Sequence, residues 1–160
     1  MQTLAIPTLD SYVGQNISAF CTMGYTANNR NHCAHWVSHV TGITVGYVCG
    51  NLGPTAKTRG QGATIRVDDL YNRCGRRGPW AERPMPLIYN LIFVTGASNV
   101  TNGVMGDNPN KHVGIFHHPY VWDYSNKQDQ VVRNDTPEDF LNRLRPDYPA
   151  DVALFYGYGL

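Results

Sequence analysis

The sequence predicts an α+β fold, in which helices come first and an antiparallel β-sheet follows. Apolar residues repeat at helical spacing in residues 31–42, and four short segments between residues 87 and 134 are rich in aromatic and β-branched residues. A capped helix and one more strand then close the chain. With 160 residues and no internal repeat or linker, the chain is predicted to be a single domain over residues 1–160.

The first predicted helix lies in "NHCAHWVSHVTG", residues 31–42. Asn29 or Asn31 is suited to cap its start, and Gly42 is suited to end it. Four apolar residues fall at i, i+3, i+4 and i+7 and form one stripe: Cys33, Trp36, Val37 and Val40.

The middle of the chain has weaker patterns. Residues 43–62 are expected to form an irregular loop, and "TIRVDDLYNRCG" (64–75) a short strand followed by a turn of helix from about Asp68. "PWAERPMP" (79–86) is expected to be a connector.

Strands are predicted at 87–95, 111–117, 120–125 and 129–134. The long loop between residues 95 and 111 is expected to shape a substrate cleft. Thr136 and Pro137 predict the start of a helix whose inner face holds Phe140, Leu141 and Leu144. The last strand is predicted within "ADVALFYGYG" (150–159).

Composition narrows the possible partners. The net charge of +1 gives no reason to expect nucleic acid or an anionic membrane as a partner. The longest apolar run, "LIFV", is too short to span a bilayer, so no membrane span is expected. No secretory signal is evident at the amino terminus, so a cytoplasmic location is expected unless the chain is exported by an unconventional route. Composition does not determine the oligomeric state.

The four cysteines form no CxxC pair, so neither a structural metal nor another cofactor is predicted. Reduced thiols are the default, although a bridge among Cys21, Cys49 and Cys74 stays open.

Helical geometry limits what the histidines near Cys33 can do. At about 100° per residue, His35 and His39 lie nearly opposite Cys33, so neither can be its base. As an i, i+4 pair they could hold a metal, but the sequence offers no obvious third ligand, and two solvent-facing histidines are the favoured interpretation. His112 is the best candidate base, on the opposite strand face from Val113 and Ile115.

Cys33 itself has two interpretations. A thiol at a helix start is close to the positive end of the macrodipole, and the Cys33 N–H could form half of an oxyanion hole. The alternative is that Cys33 is a small buried hydrophobe, and His112 a buried, hydrogen-bonded histidine.

"CAHWVSHV" (33–40) resembles the nucleophile helix of NlpC-type papain-like cysteine amidases and endopeptidases. "NLIFV" (90–94), "HVGIF" (112–116) and "VWDYSN" (121–126) follow in the order found in that family. The resemblance covers roughly residues 20–126, with His32 and Asn90 as departures from the family pattern. It implies a papain-like core, in which the nucleophile helix packs on an antiparallel sheet.

The resemblance also implies site residues. Cys33 would be the nucleophile, His112 the base and Asp123 the residue that orients the base, with Asn126 as the reserve for that third role. Tyr25 is the nearest match to a tyrosine that the family places near the oxyanion hole. On residue chemistry alone, Asp123 could equally be an exposed strand aspartate.

The implied function is a thiol hydrolase that cleaves an amide bond through a thioester, with a peptidoglycan stem peptide or a related peptide as substrate. An acyltransferase or deamidase would use the same Cys–His pair. Two other classes stay open: a non-catalytic binding or structural module of the same fold, and a metal-binding protein that uses His35, His39 and a thiol.

Overall fold

An antiparallel sheet with helices on both faces organises the chain, which confirms the α+β class. The structure, a computed structural model, describes residues 2–52 and 60–160. Part of the predicted loop, residues 53–59, lies outside the described residues. The remainder of that loop contains a 3-10 turn, Cys49–Leu52, and is otherwise largely irregular.

The described residues contain four α-helices: α1 (Ile6–Tyr12), α2 (Cys33–Thr41), α3 (Val67–Arg73) and α4 (Pro137–Leu144). No sequence pattern predicted α1. It is fixed by tertiary contacts, because Asp10 accepts hydrogen bonds from Trp122 Nε1 at 3.1 Å and Arg133 Nη1 at 3.2 Å. None of the described helices has the length and apolar character needed to cross a membrane.

The strands of the described residues are β1 (Arg76–Pro79), β2 (Tyr89–Gly96), β3 (Val100–Thr101), β4 (Val104–Met105), β5 (Lys111–His117), β6 (Tyr120–Ser125), β7 (Gln130–Asn134) and β8 (Val152–Tyr158). Six of them form a sheet in the order β1-β8-β2-β5-β6-β7, and β3 pairs with β4. All five predicted strands after residue 86 are present.

β2, β5, β6 and β7 are neighbours in chain order, as in a simple antiparallel meander, but the last strand is not. β8 inserts between β1 and β2 and pairs antiparallel with both. β1 was not predicted, and the strand expected at the start of residues 64–75 is reduced to an isolated bridge between Val48 and Thr64.

Alternate residues of the central strands enter two cores. Leu91 and Phe93 of β2 pack with the buried faces of α2 and α3, whereas Ile92 and Val94 pack with Phe140 of α4. This alternation follows from the two-residue period of a strand. The sheet therefore separates a large core on the α2 side from a smaller core on the α4 side.

Helix α2 ends at Gly42 as predicted, but its N-cap residue is His32, not Asn29 or Asn31, and the His32 side chain makes no capping hydrogen bond. The Cys33 N–H donates to Asn31 Oδ1 at 3.1 Å, so Asn31 satisfies one of the free amides at the helix start. Gly42 adopts a left-handed conformation with φ 73° and ends the helix. The apolar stripe is confirmed, since Cys33, Trp36 and Val37 are fully buried.

One prediction about α2 is wrong. His35 is fully buried instead of facing solvent, and His39 is half-buried. The physical reason is that chain segments distant in sequence cover this second face of the helix, and they bring Cys21 and Cys49 against the two imidazoles.

Helix α4 follows its sequence signals. Thr136 Oγ1 accepts a hydrogen bond from the Asp139 N–H at 3.0 Å, Pro137 occupies the first turn, and Phe140 and Leu141 are buried. Leu144 is partly buried against the same core.

Candidate active site

His112 and Asp123 lie on neighbouring strands and form a buried pair. Asp123 is opposite Gly114 in the register of β5 and β6, so its side chain points to the same sheet face as His112, two residues along β5. His112 Nε2 donates to Asp123 Oδ2 at 2.7 Å, and the two side chains are almost fully buried. Asp123 is therefore not an exposed strand aspartate.

Asp123 has two further partners that no sequence pattern identified. Arg143 Nη2 from α4 donates to the same oxygen as His112, and Asn134 Nδ2 from β7 donates to Asp123 Oδ1 at 2.8 Å. Burial favours the neutral acid, but the hydrogen bonds and charges of His112 and Arg143 outweigh it and lower the pKa of Asp123. Arg143 lies three residues after Phe140, so it is on the same side of the helix as the predicted inner face. This spacing is the only sequence signal that could have pointed to Arg143.

Cys33, at the first position of α2, lies beside His112. Because Asp123 engages Nε2, Nδ1 is the ring nitrogen left for Cys33. Burial alone would lower the pKa of His112, but the charge of Cys33 and the hydrogen bonds with Asp123 and Cys33 raise it to about 9. The raised pKa favours the imidazolium form of His112 beside Cys33, and an adjacent imidazolium is the partner that activates a cysteine nucleophile.

Gly114 allows the close approach of β5 and β6 next to this pair. A Cβ added at Gly114 would lie 2.7 Å from Trp122 O and 3.2 Å from Asp123 Cβ. A side chain here would push the two strands apart. The packing of β5 against β6 therefore requires glycine at position 114.

The start of α2 does not hold a preformed oxyanion donor. The Cys33 N–H, which could form half of an oxyanion hole, donates to Asn31 Oδ1. Asn126 Nδ2 donates to the same Asn31 oxygen at 3.1 Å, and Asn126 Oδ1 accepts from the His32 N–H at 2.9 Å. Asn126 thus fastens the residues before Cys33, whereas Asp123 contacts His112.

Two tyrosines near the candidate site differ in their surroundings. The ring of Tyr25 packs edge-on against His32 and His35, at centroid distances of 5.5 and 5.2 Å. Burial, followed by the negative charges of Cys33 and Asp123, raises the pKa of Tyr148. Tyr148 is therefore the tyrosine whose electrostatic surroundings include the candidate nucleophile, and no sequence pattern pointed to it.

A cleft opens at His112. One pocket, of about 270 Å³, is lined by His112, Asn126 and Tyr148, and a second, of about 380 Å³, is lined by Asp68 and Asp107. The two share Asn31, Pro109 and Lys111. The segment before β5 contributes to both pockets.

A second cluster of reactive side chains lies on the other face of α2. Ligand atoms of four described residues lie within 4.8 Å of one another: Cys21, His35, His39 and Cys49. The sequence offered no obvious third ligand for His35 and His39, and the structure brings two thiols beside them. Each cysteine comes from a different loop, which spacing along the sequence could not reveal.

Comparison of the chain with protein-family models, curated proteins and solved structures found no match.

Proposed function

We propose that the chain is a thiol hydrolase that cleaves an amide bond through a thioester, with Cys33 as nucleophile, His112 as acid and base, and Asp123 as the residue that orients His112. The observation that carries this proposal is the buried bond between His112 Nε2 and Asp123 Oδ2, with Cys33 beside the same ring. The order of these elements also supports a papain-like core of the NlpC type.

In the proposed reaction the Cys33 thiolate attacks the amide carbon, and a C–S bond forms. His112 gives its Nδ1 proton to the leaving nitrogen as the C–N bond breaks, which releases an amine. The neutral imidazole then takes a proton from water, and the resulting hydroxide attacks the thioester carbon as the C–S bond breaks, which releases a carboxylic acid and regenerates the Cys33 thiolate and the His112 imidazolium. Asp123 stabilises the imidazolium and keeps Nδ1 directed at Cys33.

The oxyanion must displace an existing hydrogen bond. The substrate carbonyl oxygen replaces Asn31 Oδ1 as the acceptor of the Cys33 N–H, at the start of α2 where the helix dipole favours negative charge. Asn31 lines both pockets, so its carboxamide can turn towards the cleft as substrate enters.

The cleft suits a peptide-like substrate. The pocket at His112 is lined by amide side chains, which can donate to and accept from peptide groups: Asn31, Asn110, Asn126 and Gln128. We infer a peptidoglycan stem peptide or a related peptide as substrate, on the basis of the resemblance together with this lining. An acyltransferase or a deamidase would use the same Cys–His pair with a different acceptor or amide.

One observation favours a second candidate, a non-catalytic binding or structural module of the same fold. Cys33 is fully buried, with 0% of its surface exposed, as a packing thiol would be. In that case Cys33 contributes to the core and His112–Asp123 is a structural pair.

Residue-resolved alkylation distinguishes the two candidates. The native chain is treated with iodoacetamide at neutral pH, and the modified cysteines are identified by peptide mass mapping. Cys74 is the internal reference, because it is also buried and burial raises the pKa of its thiol to about 12.

The hydrolase predicts that Cys33 reacts at least about tenfold faster than Cys74 and that His112→Ala removes the difference. A matched variant of an exposed histidine, His118→Ala, should leave it unchanged. Equal protection of Cys33 and Cys74 until unfolding would establish the binding or structural module instead.

A panel of peptide and muropeptide amides, analysed by mass spectrometry with Cys33→Ser as the blank, then identifies the cleaved bond.

A further inference from the structure

The four side chains on the far face of α2 have the composition and spacing of a tetrahedral metal site. Sγ of Cys21 and Sγ of Cys49 are 4.0 Å apart, and Nε2 of His35 and Nε2 of His39 are 3.1 Å apart. We propose that Cys21, His35, His39 and Cys49 bind one structural Zn²⁺.

The two distances agree with a single ion at the centre. For bonds of about 2.3 Å to sulfur and about 2.0 Å to nitrogen, tetrahedral geometry places two sulfurs about 3.8 Å apart and two nitrogens about 3.3 Å apart. A disulfide fits less well, since its sulfurs would be about 2.05 Å apart. Both cysteines are free thiols in the structure.

Hydrogen bonds of the histidines direct a bare nitrogen at the centre of the cluster. His32 Nε2 lies 2.8 Å from the Ala27 carbonyl, which can only accept, so Nε2 carries the proton and His32 Nδ1 is an acceptor. His35 Nδ1 lies 3.0 Å from His32 Nδ1 and must donate to it. Neutral His35 is then left with a lone pair on Nε2, which faces His39.

This chain of hydrogen bonds is the outer shell that metal-bound histidines usually have. His35 is fully buried, and a neutral imidazole with an unprotonated Nε2 is the form that binds metal. Without an ion, two neutral imidazoles would meet Nε2 to Nε2 with a single proton shared between them.

The surroundings of Cys49 also suit a metal-bound thiolate. The Ala63 N–H donates to Cys49 Sγ at 3.2 Å, a bond that helps to stabilise a thiolate. Gly62 leaves the space for that sulfur, because a Cβ there would lie 2.3 Å from Cys49 Sγ. Gly62 also has φ +102°, a conformation that other residues rarely adopt.

The donor set identifies the ion and its role. Two thiolates and two neutral imidazoles carry a charge of −2, which one Zn²⁺ neutralises within a largely buried site. All four positions are taken by protein, so the ion has no open position for substrate. Its role is to fasten the loops that carry Cys21 and Cys49 to α2, whose first residue is Cys33.

The experiment measures metal in the purified full chain. Elemental analysis after extensive dialysis should find about one zinc per chain. Cys21→Ser and His39→Ala should lower that content at least about tenfold, whereas Cys74→Ser and His118→Ala, outside the cluster, should retain it. His32→Ala should weaken zinc binding by about 10- to 100-fold, because His35 loses its outer partner.

Substitution of cobalt(II) in the wild-type chain tests the site even if a ligand variant fails to fold. Thiolate-to-cobalt charge transfer together with the strong visible bands of tetrahedral cobalt supports the site. A chain that contains no zinc and gives an octahedral cobalt spectrum overturns the proposal, as does a Cys21–Cys49 disulfide in protein prepared without added oxidant. These readouts do not use catalysis, so the hydrolase and the zinc site can fail independently.

Discussion

His112 Nε2 donates to Asp123 Oδ2 at 2.7 Å, from one strand to its neighbour and within the protein interior. The same carboxylate accepts from Arg143 and Asn134, so four side chains from β5, β6, β7 and α4 form one polar network. Buried polar networks are stable only when every member has a partner. The network holds His112 in one orientation beside Cys33. Substitution of each of its members tests this role.

His112→Ala should abolish most of the reactivity of Cys33. Without the imidazole the thiol loses its proton acceptor, so kcat/KM for amide cleavage should fall by about 10²- to 10⁴-fold. The measurement is steady-state cleavage of a peptide amide identified by the substrate panel. His118→Ala is the control, since His118 is exposed, and an unchanged rate in His112→Ala would remove His112 from the mechanism.

Asp123→Asn keeps the shape of the side chain but removes its charge. Arg143 and His112 then lose their anionic partner, so the free energy of unfolding should fall by about 3 kcal/mol and kcat by about 100-fold. Urea denaturation and initial rates measure the two effects. Asp135→Asn is the matched control, because the side chain of Asp135 is 77% exposed and its nearest cation is 4.0 Å away. Equal stability of the two variants would contradict a buried ionic network.

The stability of the protein should depend on pH through His112. Its pKa rises from the ordinary 6.5 to about 9 on folding, so the folded chain binds this proton more tightly than the unfolded chain. The resulting stabilisation is fully present below pH 6.5 and is lost as the pH rises through about 9. Asp123, whose pKa is lowered, stays ionised over this interval.

Urea denaturation of the wild type and His112→Gln at a series of pH values checks this prediction. The difference in free energy of unfolding between the two chains should shrink steadily from neutral pH to about pH 10. A difference that stays constant or grows with pH would show that His112 is neutral in the folded protein.

Local sequence signals predicted much of the fold. Helix α2 has a strong apolar stripe and a terminal glycine, α4 has Thr136 and Pro137 at its start, and β5 and β6 coincide with the predicted ranges. The position of β8 between β1 and β2 could not be predicted, because strand order depends on contacts between distant segments. Helix α1 depends in the same way on the contacts that Asp10 makes across the chain.

The residues of the candidate site also fall into those that local sequence patterns identified and those that only tertiary packing brings in. Cys33, His112 and Asp123 lie on elements with clear patterns, and the structure brings them together. Arg143 and Tyr148 reach the site from the region around α4, beyond the residues that the resemblance covers. Cys21 and Cys49 belong to irregular segments, so their meeting with His35 and His39 depends on tertiary packing that no spacing rule describes.

Gly114→Ala should damage the site without touching a reacting group. A Cβ at this position would lie 2.7 Å from Trp122 O, closer than real Cβ atoms come to their neighbours, so β5 and β6 must separate. The overpacking should lower the free energy of unfolding by about 1–3 kcal/mol. Because Asp123 is directly opposite Gly114, the His112–Asp123 bond should lengthen, and kcat should fall more than KM rises.

Gly78→Ala in β1 provides the matched control. There an added Cβ would meet Glu82 Oε2 and Tyr156 Cε1 at an ordinary 3.4 Å, so stability should change by no more than about 0.5 kcal/mol. Urea denaturation of both variants, with kcat and KM measured on the same preparations, makes the comparison. If Gly114→Ala is as stable and as active as Gly78→Ala, then the close approach of β5 and β6 does not position the His112–Asp123 pair.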